Sequence, residues 1–418
     1  MRLLIAAALA MIGTAAQAQM PEQRVADILA TLQAKTDPVA VFAPPFVAAV
    51  PPAQLAVLVA QLERENGRLL GTEDFRSESP TRGQFNLRFE RATAVAIFSI
   101  EAAAPYRVTG LRIGAVSPLG DSAARIAADF AALPGRSGFV VQRLGQTAPI
   151  AASNADAQFA VGSTFKLWVL DALVEEIAAG RHRWDEVVRL NARSLPSGIT
   201  QDWPPDAPVT VETLTTLMIS MSDNTATDTL IRLIGRERVA ARVRASGHAD
   251  PSRMLPLLTT AEAFALKFSP ASREAYARAD DAGQARILAS LDTDRLLATA
   301  DLTALDGLPT AIDSIEWFAS PEDVARVLDG LRRRRDPRVL QILGVAPTMA
   351  KDLRERFAYV GYKGGSEAGV VSLSWLVQRK SGDWIVVAAS WNDPAAAVDT
   401  QRLAGLAERL LRLAASAD

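Results

Sequence analysis

The sequence contains no cysteine and only two histidines, His182 and His248. The absence of cysteine excludes disulfide bonds, thiolate metal ligands and a cysteine nucleophile. Two histidines disfavour a metal site with several imidazole ligands, so the sequence predicts no metal and no cofactor. Lysine is also scarce, because only six of the 45 basic residues are lysine and the others are arginine. Since arginine cannot give up its proton at neutral pH, only these few lysines among the basic residues can serve as proton acceptors.

Strong net charge and long hydrophobic runs are absent as well. The 418 residues carry a net charge of −2, with 49 % hydrophobic and 22 % charged residues. This composition is typical of a globular protein of two or three domains, and it offers no basic field for nucleic acid or an anionic membrane. No segment after the N-terminal region reaches the ~18 uncharged apolar residues that a membrane-spanning helix needs. The sequence therefore predicts no nucleic-acid partner and no stable membrane span.

Residues 1–18 have the pattern of a secretory signal peptide. Arg2 gives a positive start, the apolar run from Leu3 to Ile12 is too short to cross a bilayer, and residues 16–18 form a small-x-small cleavage site. A buried N-terminal helix is the alternative interpretation. The sequence thus predicts a periplasmic or secreted protein from which residues 1–18 are removed.

The remaining chain divides into two predicted domains of the α+β class, 19–116 and 117–418, joined by the linker Ser117–Asp121. In the first domain, the hydrophobic patterns predict helices followed by antiparallel strands: Pro21–Lys35, Ala53–Arg64, Gln84–Phe89, Ala92–Ile100 and Tyr106–Ala115. In the second, a long helical block lies between strands that can pair in one antiparallel sheet, with a closing helix: Gly138–Arg143, Phe357–Tyr362, Gly369–Arg379, Trp384–Trp391 and Val398–Ala415.

A serine and a lysine three residues apart open a predicted helix in the second domain. Ser163 and Lys166 belong to the sequence Gly162–Lys166, which precedes an apolar helical pattern. Residues three apart on a helix share a face, so the lysine can reach the hydroxyl. A lysine with a lowered pKa can activate a serine, and a helix N-terminus stabilises a developing alkoxide. Taken alone, this motif is equally typical of a capped helix with a solvated lysine.

Two further polar motifs follow in the chain. Ser222, Asp223 and Asn224 interrupt two predicted helices, and by themselves they are typical of a helix N-cap. The segment Lys363–Ser366 (KGGS) ends a predicted strand, where glycines either form a hairpin turn or let a ligand approach the backbone.

The three motifs together resemble the signature of the serine β-lactamase and penicillin-binding protein superfamily, S-x-x-K, S-D-N and K-x-G in that order. The resemblance covers roughly residues 117–418, and the sheet that brackets a helical block agrees with the fold it implies. It also implies an enzyme, a serine hydrolase that forms an acyl-enzyme with a carboxylate-bearing, β-lactam-like small molecule.

The resemblance assigns a role to each matching residue. Ser163 resembles the acylated nucleophile, Lys166 its proton acceptor, and Ser222 the hydroxyl that passes a proton to the leaving group. Lys363 resembles the cation that pairs with a substrate carboxylate. The remaining matches are Asn224, Gly365 and Ser366 for substrate binding, the backbone N–H groups of Ser163 and Ser366 for the oxyanion hole, and Asp223 for local structure.

The chain departs from the class A pattern at two places. Gly364 replaces the threonine of K-T-G, which makes the strand less rigid. The Glu-x-x-Leu-Asn loop, whose glutamate holds the deacylating water in class A enzymes, has no match at the usual offset from S-D-N. Glu262 is the nearest carboxylate, but it falls in the predicted helix Ala261–Phe268. The sequence therefore leaves the deacylation base open.

The segments Leu258–Thr260 and Ile315–Pro321 resemble a narrower group, the β-lactamase-like proteins of clavulanic-acid biosynthetic clusters. That resemblance implies a steroid-isomerase-like or cystatin-like N-terminal module with a structural or lid role. Isomerase chemistry needs a buried carboxyl and tyrosine pair, and Tyr106 is the only tyrosine before residue 117. We therefore expect no isomerase activity.

Three functions remain open on the sequence. The first is a β-lactamase with an unusual deacylation base. The second is an esterase or peptidase that acts on non-lactam acyl substrates. The third is a penicillin-binding pseudoenzyme that acylates and stalls. A Ser-His-Asp triad is disfavoured, because no G-x-S-x-G nucleophile elbow occurs.

Overall fold

The computed structural model describes residues 21–190, 193–194, 196–298 and 307–416. The chain divides into two compact units, one that ends at Asp121 and one that begins at Ser122. The predicted signal peptide, residues 1–18, lies outside the described residues. Within the described ranges, none of the helices combines the length and the apolar character that crossing a membrane requires.

The first unit consists of helices followed by a four-stranded antiparallel sheet in the order β1-β2-β3-β4. Its elements are α1 (21–32), α2 (Pro38–Val41), α3 (Pro44–Ala49), α4 (Pro52–Asn66), β1 (Leu69–Ser79), β2 (Arg82–Phe89), β3 (Ala92–Ile100) and β4 (Val108–Pro118). Alternate residues of β2 and β3 are buried, so one face of the sheet packs against the helices and builds the core of this unit.

Two strands of this unit differ from the sequence prediction. The pattern missed β1, because most of its residues are exposed or half-buried and carry no hydrophobic alternation. The predicted strand Tyr106–Ala115 begins later, at Val108, since Tyr106 has a left-handed φ of 56° that ends extended pairing. The steroid-isomerase-like character of the unit stays a prediction.

The second unit contains a five-stranded antiparallel sheet in the order β11-β12-β13-β5-β6. The sheet and short strands are β5 (Arg136–Arg143), β6 (Ala151–Ser153), β7 (Phe159–Ala160), β8 (Val187–Arg189), β9 (Pro208–Thr210), β10 (Phe318–Ala319), β11 (Phe357–Glu367), β12 (Val370–Arg379) and β13 (Trp384–Asn392). The helices are α5 (Ala123–Ala131), α6 (Lys166–Ala178), α7 (Val211–Ser220), α8 (Asn224–Ile234), α9 (Arg236–Ala245), α10 (Thr260–Phe268), α11 (Pro270–Arg278), α12 (Asp281–Ser290), α13 (Thr293–Ala298), α14 (Pro321–Arg333), α15 (Pro337–Leu343), α16 (Lys351–Arg354) and α17 (Thr400–Ser416).

The two faces of this sheet pack into two separate cores. Phe139 and Val141 of β5 belong to the core shared with α5 and α17, whereas Val140 between them belongs to the core shared with α6, α7 and α8. This alternation follows from the period of two in a strand, and it explains why β13 is apolar at nearly every position and why β5 has three consecutive apolar residues, Phe139–Val141. The helical block therefore lies on one face only, next to the edge strand β11.

We expect replacement of Phe139 by alanine to lower the free energy of unfolding of the second unit by about 3–5 kcal/mol. Phe139 is fully buried, and its ring lies 4.6 Å from that of Phe130 in α5, so truncation leaves a cavity between the sheet and that helix. Denaturant unfolding measures the change. Leu308, which is 69 % exposed, gives the matched control, because Leu308→Ala should change stability by less than about 0.5 kcal/mol. Equal effects of the two substitutions would contradict this packing.

Candidate active site

Ser163 lies in a short 3₁₀ helix, Gly162–Phe165, that leads directly into α6. Gly162 has a φ of +47°, a conformation that side chains rarely adopt, and this bend turns the chain from β7 into the helix. The neighbours of Ser163 in the turn are buried, whereas Ser163 is half-buried and lines a cavity of about 340 Å³. The turn thus presents one hydroxyl to the cavity.

Lys166 is completely buried at the start of α6. Its Nζ donates to the backbone oxygen of Ser222 at 2.6 Å, to Ser222 Oγ at 3.2 Å and to Asn224 Oδ1 at 2.7 Å. Burial holds the pKa of Lys166 well below its ordinary value, and the charge of Lys363 lowers it further, against the opposing carboxylates of Asp228 and Asp223. Burial therefore favours the neutral amine, which is the form that can accept a proton.

Ser222–Asn224 form the connection between α7 and α8, and Ser222 has a left-handed φ of 58°. Asp223 caps α8 by accepting a hydrogen bond from Ala226 N at 2.8 Å. The same carboxylate accepts hydrogen bonds from the backbone N–H groups of Ile199 and Thr200 at 2.8 and 2.9 Å. Asp223 thus fixes the connection that carries Ser222, while Ser222 and Asn224 line the cavity.

Lys363 approaches Ser222 from the opposite side, on β11. Its Nζ donates to Ser222 Oγ at 3.1 Å and also contacts the backbone oxygen of Gly364. Burial lowers the pKa of Lys363 to about 7. The hydroxyl of Ser222 therefore lies between two amines, those of Lys166 and Lys363, and can exchange a proton with either.

The two glycines after Lys363 lie inside β11, which continues to Glu367, so the predicted end of this strand at Tyr362 was wrong. A side-chain carbon on Gly365 would overlap Val161 O and Ser163 N, which shows how closely the strand passes the Gly162–Phe165 turn, called below the nucleophile turn after the role predicted for Ser163. A carbon on Gly364 would overlap the Tyr362 hydroxyl instead. The glycine at the middle position of the K-x-G motif therefore makes room for Tyr362.

Close passage of β11 brings two backbone N–H groups to the same edge of the cavity. A side-chain carbon placed on Gly162 would lie 3.4 Å from Ser366 N, and Ser366 and Ser163 both line the cavity. Two backbone amides at one edge, beside the hydroxyl, are the arrangement that stabilises the negative oxygen of a tetrahedral intermediate.

The structure brings the sequence-predicted site residues together around one cavity. Its lining includes Ser163, Ser222, Asn224, Lys363, Gly365 and Ser366. Lys166 and Asp223 lie behind this lining and contact it through the hydrogen bonds described above.

Glu262, the carboxylate nearest to the expected offset, does not line the cavity. It forms a capping box with Thr259 at the start of α10, and its Oε1 accepts a hydrogen bond from Arg236 at 2.5 Å. These contacts assign it a structural role in α10. Neither histidine reaches the cavity, since His182 contacts Glu186 at 3.0 Å and His248 contacts Phe318 O at 2.9 Å.

Sequence reasoning missed a cluster of three side chains at the cavity, in which Lys267 and Glu316 are buried and Glu367 is half-buried. Lys267 Nζ lies 2.6 Å from Glu316 Oε1 and 2.5 Å from Glu367 Oε1. Burial and the neighbouring Glu316 raise the pKa of Glu367 to about 8. Burial alone would lower the pKa of Lys267, but the two carboxylates outweigh it and raise that pKa. The scarcity of lysine was the one sequence signal that could have led to Lys267.

Asp228 was also missed. It is fully buried in α8, and its carboxylate accepts hydrogen bonds from Ser194 Oγ at 2.6 Å, Thr260 N at 2.8 Å and Ala261 N at 3.0 Å. Burial raises its pKa above the ordinary value. This carboxyl joins the first turn of α10 to α8 and places Thr260 in the cavity lining.

Within the described ranges, no group of three or more acidic, histidine or cysteine side chains is arranged to hold a metal ion.

We expect Gly365→Ala to lower the acylation rate of Ser163 by at least about 100-fold, because the added carbon displaces β11 from the nucleophile turn and its two amides. Stopped-flow acylation by a chromogenic acyl donor measures the rate. Gly330 in α14 has open space around it, so Gly330→Ala is the matched control and should leave the rate unchanged. A Gly365→Ala protein that acylates normally would refute the close approach.

Three solved structures that the chain is similar to are a β-lactamase, PBP-A and an ancestral class A β-lactamase. A β-lactamase from Sphaerobacter thermophilus DSM 20745 is 22 % identical, with a TM-score of 0.50 over 70 % of this chain and 95 % of that one. PBP-A is 17 % identical, with a TM-score of 0.48 over 71 % of this chain and 94 % of that one. An ancestral class A β-lactamase, from the reconstructed last common ancestor of Gram-negative bacteria, is 18 % identical, with a TM-score of 0.48 over 69 % and 96 %. The first of these comparisons shows that the fold is shared. No curated protein sequence matches the chain.

A family profile matches residues 121–395, which is more than half of the chain and includes the three motifs. The chain belongs to the beta-lactamase enzyme family.

Proposed function

We propose that the protein is an exported serine hydrolase that opens a β-lactam, or a related amide or ester, through an acyl-enzyme on Ser163. The observation that carries this proposal is the hydroxyl of Ser222 placed between the buried amines of Lys166 and Lys363, 3.2 and 3.1 Å away, beside the cavity that Ser163 lines. Export rests on the pattern of residues 1–18 alone.

Acylation follows from this geometry. Ser163 Oγ attacks the substrate carbonyl, its proton passes to the neutral amine of Lys166, and the new negative oxygen is bound by the N–H groups of Ser163 and Ser366. As the C–N or C–O bond breaks, Ser222 gives its proton to the leaving atom and is reprotonated by Lys166. The products are an ester on Ser163 and a neutral leaving group, so no proton is left over.

Lys363 determines which substrate charge the site favours. It is buried beside the cavity, and the acidic side chains that line the cavity, Glu316 and Glu367, are both engaged by Lys267. A carboxylate on the substrate would supply Lys363 with an anionic partner, which favours carboxylate-bearing acyl donors such as β-lactams.

A second function, acylation without turnover, is favoured by the position of Glu262. The loop glutamate that deacylates class A enzymes has no match at its usual offset, and Glu262 is bound by Arg236 and by the first turn of α10. A protein that acylates and stalls would act as a penicillin-binding sensor.

The narrower resemblance to clavulanic-cluster proteins adds a role for the first unit. We propose that this unit is structural or forms a lid, with no isomerase chemistry of its own. Tyr106, the only tyrosine of that unit, has a strained left-handed φ and is half-buried.

One experiment tests these functions. The protein is incubated with a chromogenic cephalosporin and separately with a p-nitrophenyl ester, and its intact mass is then recorded. We expect several turnovers of the lactam and a transient adduct on Ser163, both abolished in Ser163→Ala. Ester turnover without lactam turnover would identify an esterase, and a lasting adduct would identify the sensor. The exposed Ser252 provides the matched control, since Ser252→Ala should behave as the unaltered protein does. The absence of both adduct and turnover would refute serine catalysis.

The pH dependence tests the role of Lys363. Because its pKa is about 7, Lys363 loses its charge as pH rises through that value. We therefore expect kcat/KM for an anionic lactam to fall above about pH 7. For a neutral ester, we expect kcat/KM not to fall in this pH range. Lys363→Arg, which stays charged, should remove the fall for the lactam. An identical falling limb for both substrates would contradict substrate pairing by Lys363.

A further inference from the structure

Glu316 is anchored to the nucleophile turn through its neighbour in sequence. Trp317 O accepts a hydrogen bond from Val161 N at 2.9 Å, two residues before Ser163. The Trp317 ring stacks on Phe165, with centroids 3.9 Å apart and planes 4° apart. Since contacts on both sides of Ser163 hold this segment, the backbone that carries Glu316 has a fixed place relative to the nucleophile.

The Glu316 side chain is buried and lines the cavity. Its Oε1 accepts a hydrogen bond from Lys267 Nζ at 2.6 Å. Lys267 also binds Glu367, which follows Ser366 directly along β11 and lines the same cavity. The cluster of Lys267, Glu316 and Glu367 therefore connects the segment before β10 to the strand that carries the oxyanion amide.

The cluster contains one cation, Lys267, between the carboxyl groups of Glu316 and Glu367. If both carboxyl groups were ionised, the cluster would have a net negative charge. The raised pKa of Glu367 keeps the proton on that side chain at neutral pH, and the protonated group is hydrogen-bonded to Glu316. Glu316 keeps its ion pair with Lys267, with Oε1 at 2.6 Å from Nζ. An ionised carboxylate in a cavity, already held by a lysine, can accept a proton from water without moving.

Hydrolysis of an ester on Ser163 requires a base for the incoming water. Three other carboxylates have structural contacts instead. Glu262 is bound by Arg236 and does not line the cavity. Asp223 and Asp228 accept hydrogen bonds from backbone N–H groups behind the cavity lining. Among the described residues, the carboxyl groups that line the cavity are those of Glu316 and Glu367, and the raised pKa of Glu367 disfavours its ionised form, so Glu316 is the better candidate.

We propose that Glu316 is the general base that activates the water for hydrolysis of the acyl group on Ser163, with Lys267 and Glu367 as its positioning residues. This inference rests on the proposed function. In the step, the water oxygen bonds to the acyl carbon and its proton passes to Glu316. The bond from the acyl carbon to Ser163 Oγ then breaks, the proton returns from Glu316 to Ser163 Oγ, and the acid product leaves.

The test is Glu316→Gln in the full chain, with a chromogenic cephalosporin as the probe. We expect acylation within about threefold of the unaltered rate and deacylation slowed at least about 100-fold, so that the adduct on Ser163 persists in the intact mass. Hydroxylamine, which attacks esters without a base, should release that adduct and restore turnover. Glu322 on the surface of α14 is the matched control, since Glu322→Gln should keep both rates.

Several outcomes would overturn the inference and leave the proposed function standing. The first is that Glu316→Gln turns over at the unaltered rate. The second is that Glu316→Gln loses acylation and deacylation together. The third is that the unaltered protein acylates but never turns over. If Glu316→Gln does not fold, Glu316→Asp replaces it. Slower deacylation with unchanged acylation then supports the inference, and equal slowing of both steps overturns it. An unaltered protein that never acylates refutes the proposed function itself.

Discussion

The burial of two lysine amines on either side of one serine hydroxyl is the constraint on which the site depends. Lys166 is removed from water, and the charge of Lys363 beside it makes protonation still less favourable. A buried amine without hydrogen-bond partners is strongly destabilising, and here Ser222 and Asn224 supply those partners to Lys166. The same desolvation that is unfavourable for folding lowers the pKa of the amine.

The backbone around Ser222 is built to hold that geometry. A left-handed φ at a serine is unfavourable, so neighbouring contacts have to impose it. Asp223 does so by capping α8 on one side and binding the 199–200 backbone on the other. Gly198 leaves the space that the Asp223 carboxylate occupies, because a side-chain carbon there would overlap it. A short polar sequence between two helices is thus held from both sides.

Sequence could predict the parts of the structure that depend on local pattern. Local pattern, within a few residues, predicts the serine–lysine spacing, the polar break at Ser222 and the apolar strands of the second unit. The strands β3, β12 and β13 lie within a residue or two of their predicted bounds. The edge strand β1 could not be predicted, since an exposed edge needs no hydrophobic alternation. Nor could the continuation of β11 through its glycines, which depends on the nucleophile turn packed against it.

The cluster of Lys267, Glu316 and Glu367 lies beyond any local pattern, because its members are 49 and 100 residues from the lysine in the chain. Tertiary packing alone brings them together, and it decides which of them keeps a proton.

The two groups of charged side chains at the cavity have opposite electrostatics. The pKa values of Lys267 and Glu367 are raised beside Glu316, whereas those of Lys166 and Lys363 are lowered and both amines contact the Ser222 hydroxyl. Like charges so close together disfavour protonation of both amines, so a charge on Lys363 favours the neutral form of Lys166. Under the proposed function, a substrate anion that keeps Lys363 charged would therefore favour the neutral amine at Lys166, and an arginine at either position, which stays charged, would remove this coupling.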